Sequence, residues 1–149
     1  MKIKNLFILS TLIFSLISCD SPSLFGKKVK KDYFTGGKVR SEFIMDDETE
    51  QNGVFKTYGY EGELVSVVVI HNGVKDGVET GYDKKKRVIW KTPYVNGKEH
   101  GVAKAFYPNG EVMVSYTYKN GFKEGYAYTY YKDRRIDRKV LYRRNKIIN

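Results

Sequence analysis

The chain has 149 residues, a length that suits one domain, with 27 Lys and Arg against 17 Asp and Glu for a formal charge of +10. Apolar residues make up 41%, which excludes a disordered composition, and 3 Pro beside 14 Gly exclude collagen-like and Pro-rich classes. A single Cys excludes an internal disulfide or a multi-cysteine metal site, and 2 His leave little for a metal centre or a histidine-based triad; a non-enzyme without a cofactor is expected.

Taken in chain order, Lys2 and Lys4 precede the uncharged run of residues 6–17, LFILSTLIFSLI. A helix of that length spans about 18 Å, short of a hydrocarbon core of roughly 30 Å. Residues 1–18 are therefore expected to be a signal peptide. The run ends Leu16-Ile17-Ser18-Cys19, which resembles the bacterial lipobox. That resemblance implies acylation of Cys19, which becomes the mature N-terminus. It also implies residues 19–28 as a short tether, and export to the periplasmic or surface side of a bacterial membrane.

Beyond the tether the chain repeats itself. Asn72-Gly73, Asn96-Gly97 and Asn120-Gly121 recur every 24 residues. So do Gly53, Gly77, Gly101 and Gly125; Tyr58, Tyr82, Phe106 and Tyr130; and Leu64, Val88, Val112 and Ile136. An earlier copy begins at Val29, shifted by one residue, with the extra residue assigned to the acidic stretch 46–52. About five repeats thus occupy residues 29–142, leaving 143–149 as a basic tail.

One repeat reads as a β-hairpin plus a connecting turn. Val112, Val114, Tyr116 and Tyr118 alternate with Met113, Ser115 and Thr117, the period of a half-buried strand. Pro108-Asn109-Gly110 and Asn120-Gly121 supply turns, and glycines 53, 73, 77, 97, 101, 121 and 125 mark positions where φ > 0 is expected (Gly53, Gly73, Gly77, Gly97, Gly101, Gly121, Gly125). The fold class expected is all-β: an elongated antiparallel meander of about ten strands. An even repeat keeps even-numbered residues on one face, which would carry Tyr58, Tyr82, Phe106 and Tyr130 together with Val68, Trp90 and Val140.

Asn-Gly-x-x-x-Gly, an aromatic pair and Asn-Gly-Glu-Val, clearest over residues 96–125, resemble the bacterial variant of the MORN repeat. The resemblance implies hairpin arrays used as scaffolds or as protein- and lipid-contacting surfaces, some members being antitoxin-like or immunity-like. It carries no catalytic residue. Choline-binding wall repeats and Tyr-Asp surface repeats share the hairpin-array character, but Trp90 is the only Trp here.

Two candidate binding surfaces follow. Lys84, Lys85, Lys86, Arg87, Arg134 and Arg135 occupy equivalent hairpin turns, where Lys86 and Arg134 stand in place of the turn glycines Gly62 and Gly110. They would form one basic edge. Tyr82, Trp90 and Phe106 would form an aromatic sheet face. The partners expected are the membrane, through lipid on Cys19, and another protein; the alternative is anionic lipid or wall polymer. Export disfavours nucleic acid. His71, His100 and the acidic loop 46–52 match no metal-ligand spacing.

Overall fold

The computed structural model describes residues 27–148. These form one open antiparallel meander sheet with no helix among the described residues. Five long hairpins build it. They are β1 (Val29–Tyr33) with β2 (Val39–Met45), β3 (Gly53–Tyr58) with β4 (Leu64–His71), β6 (Gly77–Tyr82) with β7 (Val88–Val95), β9 (Gly101–Phe106) with β10 (Val112–Lys119), and β12 (Gly125–Tyr130) with β13 (Ile136–Arg143). Four short strands complete the sheet: β5 (Val74–Lys75), β8 (Lys98–Glu99), β11 (Phe122–Lys123) and β14 (Lys146–Ile148). The total of fourteen exceeds the ten expected from sequence.

The difference lies at the Asn-Gly pairs, which are themselves two-residue hairpins. Asn72 and Gly73 have φ of 51° and 75°, Asn96 and Gly97 48° and 76°, and Asn120 and Gly121 51° and 86°. Two successive positive φ values are the mark of a type I′ turn, whose twist matches that of the flanking strands. Each turn folds a two-residue strand back onto the long strand it follows, as in the pairing of His71 with Val74. Arg144 and Asn145 do the same at φ 46° and 68°, and so draw residues 146–148 of the expected basic tail into the sheet.

The chain then kinks into the next long strand at Gly77, Gly101 or Gly125, with φ of 110°, 105° and 89°. The turns also lock one hairpin to the one before. The N–H of Gly73 donates to the carbonyl of Gln51 (2.8 Å), that of Gly97 to Lys75 (2.8 Å), that of Gly121 to Glu99 (2.9 Å) and that of Asn145 to Lys123 (3.1 Å).

The far end of every hairpin is a three-residue loop. Gly59, Asp83, Tyr107 and Tyr131 each donate N–H to the residue four on and accept from the residue three on. The residue three on is left-handed in each case: Gly62 (φ 90°), Lys86 (61°), Gly110 (88°) and Arg134 (71°). This is the type I turn followed by a left-handed residue that closes a bulge. The register shifts beside it, between Thr57 and Tyr58, Gly81 and Tyr82, Thr129 and Tyr130, and Val112 and Val114.

That shift corrects the face assignment. Gly81 pairs with Trp90, so the two share a face, and Tyr82, the next residue along, points the other way. Tyr58, Tyr82, Phe106 and Tyr130 therefore lie opposite Val68, Trp90 and Val140 rather than beside them. The buried residues gather almost entirely on the Trp90 face: Met45, Ser66, Val68, Glu79, Ala103 and Ala127. Among the described residues Ser115 alone is buried on the Tyr82 face. On the Trp90 face small residues of one strand make room for large neighbours; a Cβ at Gly81 would run into the Trp90 indole.

The acidic stretch 46–52 is folded on itself and on β1. Asp47 accepts from Thr49 N–H (3.0 Å) and from Asn52 Nδ2 (2.8 Å), while Glu50 pairs with both Lys28 and Lys30. The two ammoniums hold the Glu50 carboxyl well down, from 4.5 to about 2. A depressed carboxylate adds stability above its ordinary value and loses it as pH falls through the folded value. As pH falls from 4.5 towards 2, the protection of the β1 amides relative to their intrinsic exchange rates should therefore fall while that of β9 and β10 holds, measured by hydrogen exchange resolved by residue.

The kink glycines give a second test. At Gly101 φ is +105° and a Cβ would meet Pro93 Cγ at 3.2 Å. Gly101→Val should destabilise by about 1–3 kcal/mol through backbone strain and this contact, read as a lowered melting temperature.

Candidate binding surface

The hairpin-loop edge carries the candidate cations, and the structure brings them to one side of the sheet. It does not leave them free. Lys84 Nζ donates to Glu61 Oε2 of the preceding hairpin (2.7 Å). Arg87 pairs with Asp83 (2.7 Å) and Arg135 with Asp133 (2.7 Å). Arg134 grips Glu111 with two hydrogen bonds (2.8 and 2.7 Å), again across neighbouring hairpins. The cations hold the carboxyls of Glu61, Asp83, Glu111 and Asp133 below their ordinary range. Only Lys85 and Lys86 of the six lack an ion pair with another described residue.

The expected basic edge is therefore corrected to an edge of alternating charge. Its acids come from the same turns, a feature that a count of Lys and Arg overlooks. Each such pair is solvent-exposed and contributes little to stability. The gain at Arg134 is geometric: the bidentate fork ties two hairpins from a position whose left-handed backbone glycine would adopt more easily. Lys86 pairs with no described residue across the hairpins.

The aromatic trio is divided. Tyr82 and Phe106 lie on one face, Phe106 beside Val88 and Lys91 over a shallow hollow, and Trp90 lies on the other. The first-strand aromatics do not stack on one another. Ring pairs form instead along β12, where Tyr126, Tyr128 and Tyr130 follow at 6.2 and 6.1 Å, and between β10 and β13, where Tyr116 and Tyr142 meet at 6.2 Å. Tyr58 donates to Glu42 (2.6 Å), and burial, with Glu42, pushes its hydroxyl up to about 12.

On the Trp90 face, near the Asn-Gly turns, lysines sit among tyrosines. Buried Glu79 accepts from Lys75 Nζ (2.6 Å) and Ser66 Oγ (3.2 Å), and Lys75 Nζ lies 4.8 Å from the Tyr94 ring centre. Burial, with Glu79 and Glu99 close by, pushes Tyr94 up to about 12. Lys123 Nζ lies 4.0 Å from the Tyr116 ring centre and 5.5 Å from Tyr142. These cation–π sites are filled by the chain's own ammoniums.

His71 Nδ1 lies 3.8 Å from Asp76, and His100 Nδ1 3.2 Å from Asn120 Oδ1, each at an exposed turn. Among the described residues no group of three or more His, Cys, Asp or Glu could hold a metal ion. Gly53, Gly73, Gly77, Gly97, Gly101, Gly121 and Gly125 all have positive φ. Cys19, residues 1–18 expected as a signal peptide, and most of the expected tether 19–28 lie outside the described residues.

No protein-family model matches the chain, and no curated protein matches it.

Lys86 yields a direct test of the loop geometry. A left-handed non-glycine residue costs roughly 1–2 kcal/mol, against about 0.4–1 kcal/mol for the extra unfolded-state freedom of glycine. Lys86→Gly should stabilise by about 0.5–1 kcal/mol in denaturant titrations, and Gly110→Lys should do the reverse.

Proposed function

We propose that the chain is a membrane-anchored, non-catalytic binding scaffold: a MORN-like hairpin array, tethered through lipid on Cys19, that presents its sheet to another protein. The lipobox-like Leu16-Ile17-Ser18-Cys19 supports the anchor. The observation that carries the binding role is the openness of the sheet. Among the described residues four apolar residues are buried, while sixteen large apolar side chains are exposed. An open sheet exposing this much apolar surface is suited to association. The antitoxin-like or immunity-like role implied by the MORN resemblance is one form that such a partnership takes.

Crosslinking in intact cells, followed by mass spectrometry, tests both parts. The native chain should incorporate an acyl label, fractionate with membranes and crosslink reproducibly to one protein through lysines of the sheet. Cys19→Ser should lose the label and leave the membrane fraction. Unchanged labelling and fractionation of Cys19→Ser would overturn the anchor, and crosslinks spread over abundant envelope proteins would overturn the specific partner.

A further inference from the structure

The last long strand differs from the three second strands before it. Along β4, β7 and β10 the same two positions receive the first strand of the next hairpin: Ser66 and Val67, Trp90 and Lys91, Val114 and Ser115. The corresponding pair on β13, 24 residues on, is Arg138 and Lys139, and no described strand lies against it. β14 pairs only with Leu141, Tyr142 and Arg143. Over residues 136–140 the backbone groups that an inner strand would bond therefore face outwards, a ready template for another strand. The side chains register the same gap. Leu64, Val88 and Val112 are half-buried, and Val112 shares a hollow with Tyr130 of the next hairpin. Ile136, next in that column, is 57% exposed.

Charge also sets this edge apart. At the β1 end of the sheet Lys27, Lys28, Lys30, Lys31 and Arg40 are all ion-paired, with Asp46, Glu50, Glu42 and Asp32. At the β13 end Arg138, Lys139, Arg143, Arg144 and Lys146 form no ion pair with another described residue. Asp137, beside them in the strand, accepts from Thr129 Oγ1 (3.0 Å). On the Tyr82 face Lys139 closes a pairing row that crosses ten strands from Lys31 and holds five lysines but one acid, Glu42.

We infer that the outer edge of β13 receives an extended acidic segment of another protein, added antiparallel as a further strand. The register of the inner hairpins fixes what that segment carries. One of its residues lies opposite Lys139 and the next opposite Arg138, on opposite faces, so two consecutive carboxylates answer both cations. The residue after them takes the place that Tyr130 holds beside Val112, where an aromatic or aliphatic side chain covers Ile136. Main-chain bonds supply the pairing and the alternate side chains its selectivity. A second copy of the chain is a poor occupant. Its β1, set in the same register, brings Lys31 against Lys139 and offers an Asp32 already held by Arg40. Two β13 edges bring Arg138 and Lys139 of both copies together. The inference rests on the protein partner proposed above and not on the lipid anchor, and it seats that partner at a strand edge rather than on a sheet face.

The peptide acetyl-Thr-Val-Glu-Glu-Tyr-Thr-amide, added to the full chain in detergent micelles, tests the edge through residue-resolved amide shifts and hydrogen exchange. Amides within residues 136–140 should shift and gain protection, while those of β9 should not. Only alternate N–H groups of an added strand meet β13. Of two peptides N-methylated at alternate residues, one should therefore lose binding and the other keep it. Equal binding by both, or shifts spread over all exposed lysines, overturns the added strand in favour of unspecific attraction. The double change Arg138→Glu and Lys139→Glu turns two attractions into two repulsions and should weaken the acidic peptide at least about tenfold. It should bind the Lys-Lys version of the peptide instead, which also shows that the variant is folded; the methylated pair decides the matter if it is not. The native partner is reached by a photocrosslinking residue placed in intact cells at Ile136 or Asp137 and, in separate chains, at Val78 or Val102 of the Tyr82 face. One protein captured from the β13 positions supports the inference. One protein captured from the face positions alone overturns it and keeps the proposed partner, whereas no discrete partner from any position overturns both.

Discussion

The positive φ of the Asn-Gly turns is the constraint from which the rest of the sheet follows. Two left-handed residues in succession turn the strand with the twist the sheet already has. The turn's own N–H is then aimed at a carbonyl of the preceding hairpin, as Gly97 N–H is aimed at Lys75. A hairpin alone would be marginal in water. Here each is paired along its strands with the next and also tied at its turn to the previous one, so stability accumulates between neighbours. With so few apolar residues buried, the backbone ladder and these turn bonds carry much of the organisation that a packed core supplies elsewhere.

The opposite end of each hairpin has a different consequence. Its left-handed loop residue closes a bulge, and the bulge moves one strand by one residue relative to its partner. Side chains alternate, so the shift exchanges faces for everything on one side of it. Bulky residues of the second strand, such as Trp90 and Tyr116, come to lie over Gly81 and Ala103. The first-strand aromatics are sent to the other side. One face becomes a braced layer of tyrosine, lysine and buried Glu79. The other carries half-exposed valines and a lysine row in which Lys31 pairs with Glu42 and Lys139 lies over the Tyr126 ring (3.8 Å).

Charge follows the same division. At the loop edge, acid and base alternate along the turn, and the pairs Lys84–Glu61 and Arg134–Glu111 join successive hairpins. On the Tyr82 face, the lysine row meets one acid in ten positions. Lysines without an ion pair thus stand on the sheet face as well as at the loops, although the longest basic run in the sequence is at a loop.

By itself the sequence determined the all-β class, the hairpin as the repeated unit, and the glycines at which the backbone turns. These depend on local φ preference and on alternation along one strand, and both are written in neighbouring residues. The short strands β5, β8 and β11 were legible in principle, because Asn-Gly at the end of an alternating strand is a hairpin signal; β14 was hidden because Arg144-Asn145 replaces that pair. Only the tertiary structure decided which side chains share a face, that Trp90 parts from Tyr82 and Phe106, and that four of the six loop cations are paired. A one-residue bulge reverses a face without changing the spacing of any sequence column. An ion pair between residues 23 apart depends on strand register, which is set by pairing between strands and not within them.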